Sequence, residues 1–118
     1  MFIAVNDLLF ATRIEGAAQR AGYEPASAAG GLPDRSALDG AIVVVDLHDA
    51  LLDAESVIRQ ATAAGARVLA FGRHTEPGTL RRARDAGADL VVPRSQIAEE
   101  LPALFDALAQ ASQEPQPT

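Results

Sequence analysis

The residue whose position best suggests chemistry is Asp46, a carboxylate that directly follows a run of apolar residues. The run Ala41–Val45 contains four consecutive β-branched side chains, which is typical of a strand buried on both faces. In an open parallel α/β sheet, ligands bind beyond the carboxyl ends of the strands. We therefore expect Asp46 to lie at the functional edge of such a sheet.

Two more polar residues, His48 and Asp49, follow Asp46 closely and are candidate metal ligands. Two adjacent loop residues with a single histidine make a weak pattern for a metal site, because such sites usually gather three or four ligands. We therefore expect these two residues to belong to a solvated loop. His74 stands alone in the sequence and is expected at the surface.

The composition excludes several classes of chemistry. The chain has no cysteine, so disulfides, thiolate sites and cysteine-type zinc sites are excluded. All ten basic residues are arginine, so no lysine is present to form a Schiff base or to serve a phosphate-binding loop. A net charge of −6 argues against nucleic acid as a partner. The G-x-G-x-x-G and G-x-S-x-G motifs are also absent.

The length of 118 residues suits one domain with one core. No apolar run approaches the roughly 18 residues of a membrane span, and a strand at the first residues leaves no signal peptide to expect. We expect a cytoplasmic protein without membrane contact. Residues 1–110 should form the domain, and residues 111–118 should form a flexible C-terminal tail with two prolines and no large apolar side chain.

Short apolar runs and helical periodicity alternate along the chain and give the elements that must position Asp46. The expected strands are Met1–Val5, Tyr23–Ala26, Ile42–Val45, Arg67–Phe71 and Asp89–Val92. The expected helices cover residues 8–21, 36–38, 54–64 and 79–86, then one turn over 96–100 and a new helix from Pro102. Asp7, Asp53 and Ser95 are the expected helix N-caps. This alternation indicates a five-stranded parallel sheet with helices on both faces.

Four segments, taken in order, resemble the receiver domains of two-component response regulators, and the resemblance covers essentially the whole chain. Val-Asn-Asp at 5–7 stands where receivers carry an acidic pair that holds magnesium. Val43–Leu47 resembles the phosphoacceptor strand, with Asp46 at the phosphorylated position. Val68–His74 resembles the fourth strand, and Ala86–Asp89 resembles the turn before the fifth. The resemblance implies a flavodoxin-like, receiver-type α/β fold, a doubly wound five-stranded parallel sheet in the order 2-1-3-4-5.

The chain departs from the receiver pattern at the positions that handle the phosphoryl group. Asn6 replaces the first acid and leaves only Asp7 of the pair. Gly72 replaces the hydroxyl residue that reads the phosphoryl group, and Val91 replaces the aromatic residue that moves with it. Arg94 stands close to where a receiver lysine would reach in. The chain is therefore identified as an atypical receiver, or pseudo-receiver, with Gly72 and Arg94 at its switch positions.

Two roles remain open for Asp46. As a phosphoacceptor, it would act through a magnesium ion held with Asp7 and the backbone carbonyl of His48, and phosphoryl transfer would depend on stabilising the developing charge. One acid, the hydroxyl and the lysine of that apparatus are missing, so we expect magnesium to bind weakly and expect no other cofactor and no catalytic residue. As a structural carboxylate, Asp46 would accept hydrogen bonds from nearby amides or pair with Arg94.

The expected function is that of a stand-alone receiver-like signalling or scaffolding module, not an enzyme, which contacts an unidentified protein partner without being phosphorylated. Two alternatives remain open. One is a phosphoacceptor response-regulator receiver in which Asp46 is phosphorylated, and uptake of phosphate from a small donor would reveal it. The other is a small-ligand binding module that uses the crevice beyond the strand ends.

A basic run on the fourth helix gives an expected interaction face, made of Arg81, Arg82 and Arg84. In receivers this helix belongs to the signalling surface. We expect the face to dock a partner or to form a weak, salt-sensitive homodimer. We further expect the guanidinium of Arg94 to take the place of the missing cation between Asp46 and Asp7, because arginine binds carboxylates in bidentate fashion.

Overall fold

A computed structural model of the chain describes residues 1–49, 51–73 and 75–113. Within these ranges, strands alternate with helices from the first residues to the last. The elements are β1 Phe2–Ala4, α1 Leu8–Arg20, β2 Ala26–Ser27, α2 Arg35–Leu38, β3 Ile42–Asp46, α3 Ala54–Ala63, β4 Arg67–Gly72, α4 Pro77–Ala86, β5 Leu90–Pro93 and α5 Arg94–Gln113.

The five strands form one parallel sheet in the order β2-β1-β3-β4-β5. This arrangement confirms the predicted flavodoxin-like fold class and the predicted strand order. Since all strands run in the same direction, the loops after β1, β3 and β4 and the start of α5 lie along one edge of the sheet. That edge carries Asp46, which is the last residue of β3.

The central strand β3 is buried over its whole length. Successive side chains of a strand point to opposite faces, and here both faces are covered. Val44 packs in the layer that α1 and α5 form with the sheet, whereas Val43 and Val45 pack in the layer formed with α3 and α4. Four β-branched residues in succession therefore suit this position, and they place the carboxylate of Asp46 at the end of a rigid strand.

Side-chain caps fix where two of the helices begin. The Asp7 carboxylate accepts hydrogen bonds from the amides of Leu9 and Phe10 at the start of α1, at 3.0 and 3.2 Å. Asp53 accepts from the amide of Ser56 at 3.1 Å at the start of α3. Both caps were predicted, and each satisfies amides that have no partner within the helix.

Several expected boundaries differ from the structure, including the start of α4 at Pro77 rather than residue 79, and two of the differences have a clear physical reason. The second strand is Ala26–Ser27 rather than Tyr23–Ala26, because Pro25 has no amide hydrogen and the ladder to β1 starts with the amide of Ala26. Ser95 does not precede the last helix but lies in its first turn, because α5 begins at Arg94 directly after β5. Arg94, the residue that follows β5, is therefore the first residue of α5.

The predicted interruption of the last helix near Pro102 is confirmed. Glu100 has non-helical angles, φ −125° and ψ 22°, and divides α5 into a short first part and a longer second part. Proline has no amide hydrogen to donate to the preceding turn, and its ring collides with the carbonyl of that turn, so it kinks or breaks a helix. The second part continues to Gln113, and residues 114–118 of the expected tail lie outside the described residues, as does His74. No helix in the described part is long and apolar enough to cross a membrane.

Candidate functional site

The structure places Asp46 at the carboxyl edge of the sheet, as the sequence predicted, but almost closed to solvent. The residue is 4% exposed. Its Oδ1 accepts a hydrogen bond from the amide of His48 at 2.9 Å. The carboxylate therefore stabilises the first turn of the loop that follows β3, which agrees with the structural role considered for it.

Asp49 joins this loop to the loop after β1. Its Oδ2 accepts hydrogen bonds from the side-chain amide and the backbone amide of Asn6, at 2.7 and 2.8 Å. Its Oδ1 accepts from the amide of Leu51 at 3.0 Å. Partial burial acts to raise the pKa of Asp49, but these three hydrogen bonds to the charged form outweigh it and hold the pKa below its usual value. Asp49 thus lies in a loop, as expected, but its carboxylate is held by hydrogen bonds within the chain.

The ion pair of Arg94 is formed with Asp7. The guanidinium Nη2 lies 3.0 Å from Asp7 Oδ2, and its carbon atom lies 4.0 Å from the centre of the Phe10 ring. Phe10 in turn stacks on Phe71 of β4, with ring centres 5.7 Å apart. Arg94 thus packs on the Phe10 ring of this stack and pairs with Asp7, the N-cap residue of α1. The expected bridge to Asp46 is wrong in its partner, because the Asp46 carboxylate receives the amide of His48 instead.

The residues expected to hold magnesium do not form a ready cation site. Asp7 already caps α1 and pairs with Arg94, and Asp46 accepts from a backbone amide. Among the residues that the structure describes, no group of three or more histidine, aspartate and glutamate side chains is arranged to hold a metal ion. The donor set therefore fits a hard divalent cation poorly. Weak magnesium binding through Asp7, Asp46 and the His48 carbonyl stays a prediction.

His48 is also engaged, contrary to the solvated loop expected for it. Its side chain is 13% exposed and contacts the connection between β4 and α4. Nε2 accepts a hydrogen bond from the amide of Arg73 at 2.9 Å, and Nδ1 lies 3.1 Å from Glu76 Oε2. The ring lies directly over Gly72, the residue at the first of the two switch positions.

The three arginines of α4 do not share one face. Arg82 Nε lies 3.1 Å from Glu55 Oε1 on α3, so this arginine connects two neighbouring helices. Two residues along an α-helix correspond to a rotation of about 200°, which puts Arg84 on the flank of α4 away from α3. Arg81 and Arg84 are both exposed. Of the predicted interaction face, Arg81 and Arg84 have no ion pair among the described contacts, whereas Arg82 is paired with Glu55 although its side chain is still 61% exposed.

A cavity of about 350 Å³ lies between α3 and α4, next to the loop after β3. Its polar lining includes His48, Glu55, Glu76 and Arg82, and these four side chains already form two pairs with each other. The small-ligand alternative stays a prediction, and this cavity is a place where it can be examined.

No protein-family model matches this sequence, and no curated protein matches it either. Solved structures do match. A CheY-like response regulator receiver domain from Methanospirillum hungatei is 15% identical, with a TM-score of 0.74 over 97% of this chain and 96% of that one. The receiver domain of the Francisella response regulator 1452 is 16% identical, with a TM-score of 0.71 over 94% and 96%.

A third similar structure is a response regulator from Burkholderia pseudomallei, which contains a phosphorylated aspartic acid and a calcium ion. It is 18% identical, with a TM-score of 0.60 over 97% of this chain and 74% of that one. At these identities the likeness shows the fold alone. The chain has the flavodoxin-like fold of response-regulator receiver domains.

Proposed function

We propose that this protein is an atypical receiver-like module that signals or scaffolds through contacts with a protein partner, without phosphorylation of Asp46 and without catalysing a reaction. The receiver-type fold supports the general class. One observation carries the finer proposal: the polar groups at the carboxyl edge are occupied by internal partners. Asp46 is 4% exposed and bound to the amide of His48, Asn6 is bound to Asp49, and Asp7 is bound to Arg94.

Phosphoryl transfer to a carboxylate depends on charges and donors placed around the transferred group. The chain has no lysine to supply one of them, and Gly72 offers no hydroxyl. Asn6 and Asp49 hold each other, so neither is free to complete a set of magnesium ligands. Each group that would move when a phosphoryl group arrives is thus absent or already paired, which favours a site that stays in one state.

Two exposed regions support a function based on protein contacts. The exposed side chains of Arg81 and Arg84 on α4 can contact an acidic surface of a partner. Leu8 and Leu9 at the start of α1 and Leu51 in the loop after β3 are 80, 85 and 80% exposed. Large apolar side chains that stay exposed near one edge of a domain favour a protein contact there.

A phosphoacceptor function is the second candidate, and a specific observation favours it. Asp46 ends the central strand, which is the position of a phosphorylated aspartate in receivers, and the similar Burkholderia structure contains a phosphorylated aspartic acid. The two candidates differ in one measurable property, which is whether Asp46 forms an acyl phosphate.

The test is incubation of the full chain with acetyl phosphate and magnesium, followed by intact-mass spectrometry. A receiver domain with the complete acidic pair, hydroxyl and lysine serves as the positive control, and Asp46→Asn serves as the matched negative control. We expect the mass of the wild-type chain to remain unchanged under conditions that modify the positive control. A phosphoryl adduct that forms on the wild-type chain and is absent from Asp46→Asn would establish the second candidate instead.

A further inference from the structure

The imidazole of His48 connects two loops at the carboxyl edge of the sheet. It belongs to the loop after β3, yet both of its ring nitrogens contact residues between β4 and the body of α4. Nε2 accepts from the amide of Arg73 at 2.9 Å, and Nδ1 lies 3.1 Å from Glu76 Oε2. Only 13% of the side chain is exposed, so the ring is packed as well as hydrogen-bonded.

Gly72 explains why the ring can lie there. A β-carbon at this position would lie 2.9 Å from His48 Nε2, closer than real contacts of that kind, and 3.2 Å from side-chain carbons of Leu47 and Leu80. Gly72 does not have a positive φ, so its backbone conformation does not require glycine. The requirement comes from space, since the imidazole fills the volume that a side chain at position 72 would need.

The hydrogen bond from the amide of Arg73 also indicates which ring nitrogen carries the proton. A ring nitrogen that accepts from a backbone amide has its lone pair free, so Nε2 is unprotonated. A neutral imidazole then carries its proton on Nδ1, the nitrogen that lies 3.1 Å from Glu76 Oε2. The ring thus acts as acceptor towards Arg73 and presents its N–H side to the carboxylate of Glu76, and a rotated ring or the other tautomer would lose the bond to Arg73.

We propose that His48 and Gly72 form an internal latch, in which the imidazole fills the place of the side chain missing at position 72 and holds the connection from β4 to α4 in one arrangement. His48 is a positioning residue in this latch. Because Glu76 immediately precedes α4, the latch also sets the start of the helix that carries Arg81 and Arg84. The proposal does not depend on the proposed function, because it concerns contacts within the chain.

The first test is NMR spectroscopy of the full wild-type chain. Long-range proton–nitrogen correlations of the imidazole should show the proton on Nδ1 and a free Nε2. The amide of Arg73 should exchange slowly with solvent, and His48→Ala should accelerate this exchange about tenfold or more, because the acceptor is lost. A proton on Nε2 in the wild-type chain, or an unprotected Arg73 amide, would overturn the latch without need of any variant.

The second test is a double-mutant cycle on unfolding by denaturant. Gly72→Ala in the wild-type chain should raise the unfolding equilibrium constant about tenfold, because its β-carbon collides with a packed ring. In the His48→Ala background the same change should alter the constant by less than about threefold, since the closest collision is then removed and only the contacts of 3.2 Å with Leu47 and Leu80 remain. Equal effects of Gly72→Ala in the two backgrounds would overturn the proposal.

Gly30→Ala is the matched control for the glycine substitution. A β-carbon at Gly30 would meet no atom within 4 Å, and this glycine also lacks a positive φ. Its effect on unfolding should be small and the same with and without His48. A strong dependence of Gly30→Ala on His48 would show that the cycle reports a general weakening of the fold, and would overturn the assignment of the coupling to Gly72.

Discussion

At the scale of single residues, side chains at the carboxyl edge of the sheet form hydrogen bonds and ion pairs with residues far away in the sequence. Asp49 accepts hydrogen bonds from both amides of Asn6, Asp7 pairs with the guanidinium of Arg94, and His48 accepts a hydrogen bond from the amide of Arg73. Hydrogen bonds to a charged carboxylate stabilise more than neutral ones, provided that the charge is present. The stability of this edge should therefore respond to pH and to the loss of single partners.

Asp49 is predicted to make the stability of the fold depend on pH, because its pKa is lowered in the folded protein. A lowered pKa gives stability that is present above the unfolded value, about 3.9, and is lost as the pH falls through the folded value. Asp49→Asn should therefore reduce the free energy of unfolding most at neutral pH, and the difference from wild type should shrink as the pH falls below the unfolded value. Urea unfolding at several pH values measures this difference.

Asn6→Ala is the control for this prediction, because it removes the side-chain donor to Asp49 and leaves the carboxylate in place. In its background the pH dependence caused by Asp49→Asn should be smaller. A difference between wild type and Asp49→Asn that is constant from neutral to acidic pH would contradict the account of this carboxylate.

Arg94 is predicted to be coupled energetically to Asp7. The two side chains are 33% and 42% exposed, so the pair should contribute about 0.5 kcal/mol, and less at high salt. Arg94→Ala should remove about 1 kcal/mol in all, because the contact with Phe10 is lost as well. A double-mutant cycle of Arg94→Ala with Asp7→Asn measures the coupling, and the cycle with Asp46→Asn is the control. A coupling larger with Asp46 than with Asp7 would refute this pairing.

At the scale of elements, α4 has two flanks with different roles. Arg82 connects it to Glu55 of α3, and the residues beyond this contact enclose the cavity between the two helices. Gly87 ends the helix with φ +119°, a left-handed conformation that glycine adopts readily. Arg81 and Arg84 are exposed and are the part of the predicted face that is not engaged in the contact with α3.

Self-association through these two arginines is the prediction at the element scale. If Arg81 and Arg84 meet acidic residues of a second copy, the dimer should be weak and should dissociate as salt screens the charges. Sedimentation at high protein concentration and low salt should show an average mass above the monomer, and Arg81→Glu with Arg84→Glu should abolish it. Arg13→Glu on α1 is the control. A wild-type chain that stays monomeric at low salt would dispose of the homodimer.

At the scale of the whole molecule, the sequence predicted the sheet because each layer is encoded locally. The apolar run before Asp46 can only suit a strand covered on both faces, and Asp7, Asp53 and Pro102 mark helix boundaries by chemistry that involves near neighbours. The strand order followed from the resemblance to receivers. Local signals of this kind also sufficed to place Asp46 and Asp7 at one edge.

The contacts at that edge were harder to predict, because they connect residues far apart in the chain. Asn6 meets Asp49 across 43 positions, and His48 meets the amide of Arg73 across 25. Nothing near His48 in the sequence indicates an acceptor for a distant amide, although the glycine at position 72 leaves space that another side chain must fill. The expected bridge from Arg94 to Asp46 failed because Asp7, which caps α1, offers a second oxygen to the guanidinium.

The central claim is that the carboxyl edge stays in one state and does not respond to a phosphoryl group on Asp46. An NMR titration of the full chain with magnesium and beryllofluoride, a mimic of the phosphoryl group, tests this claim most directly. Because the surrounding groups are already paired, the amide signals of Asp46, Gly72 and Arg94 should remain where they are in the free protein. Stoichiometric, saturable shifts of these signals that disappear in Asp46→Asn would contradict the claim.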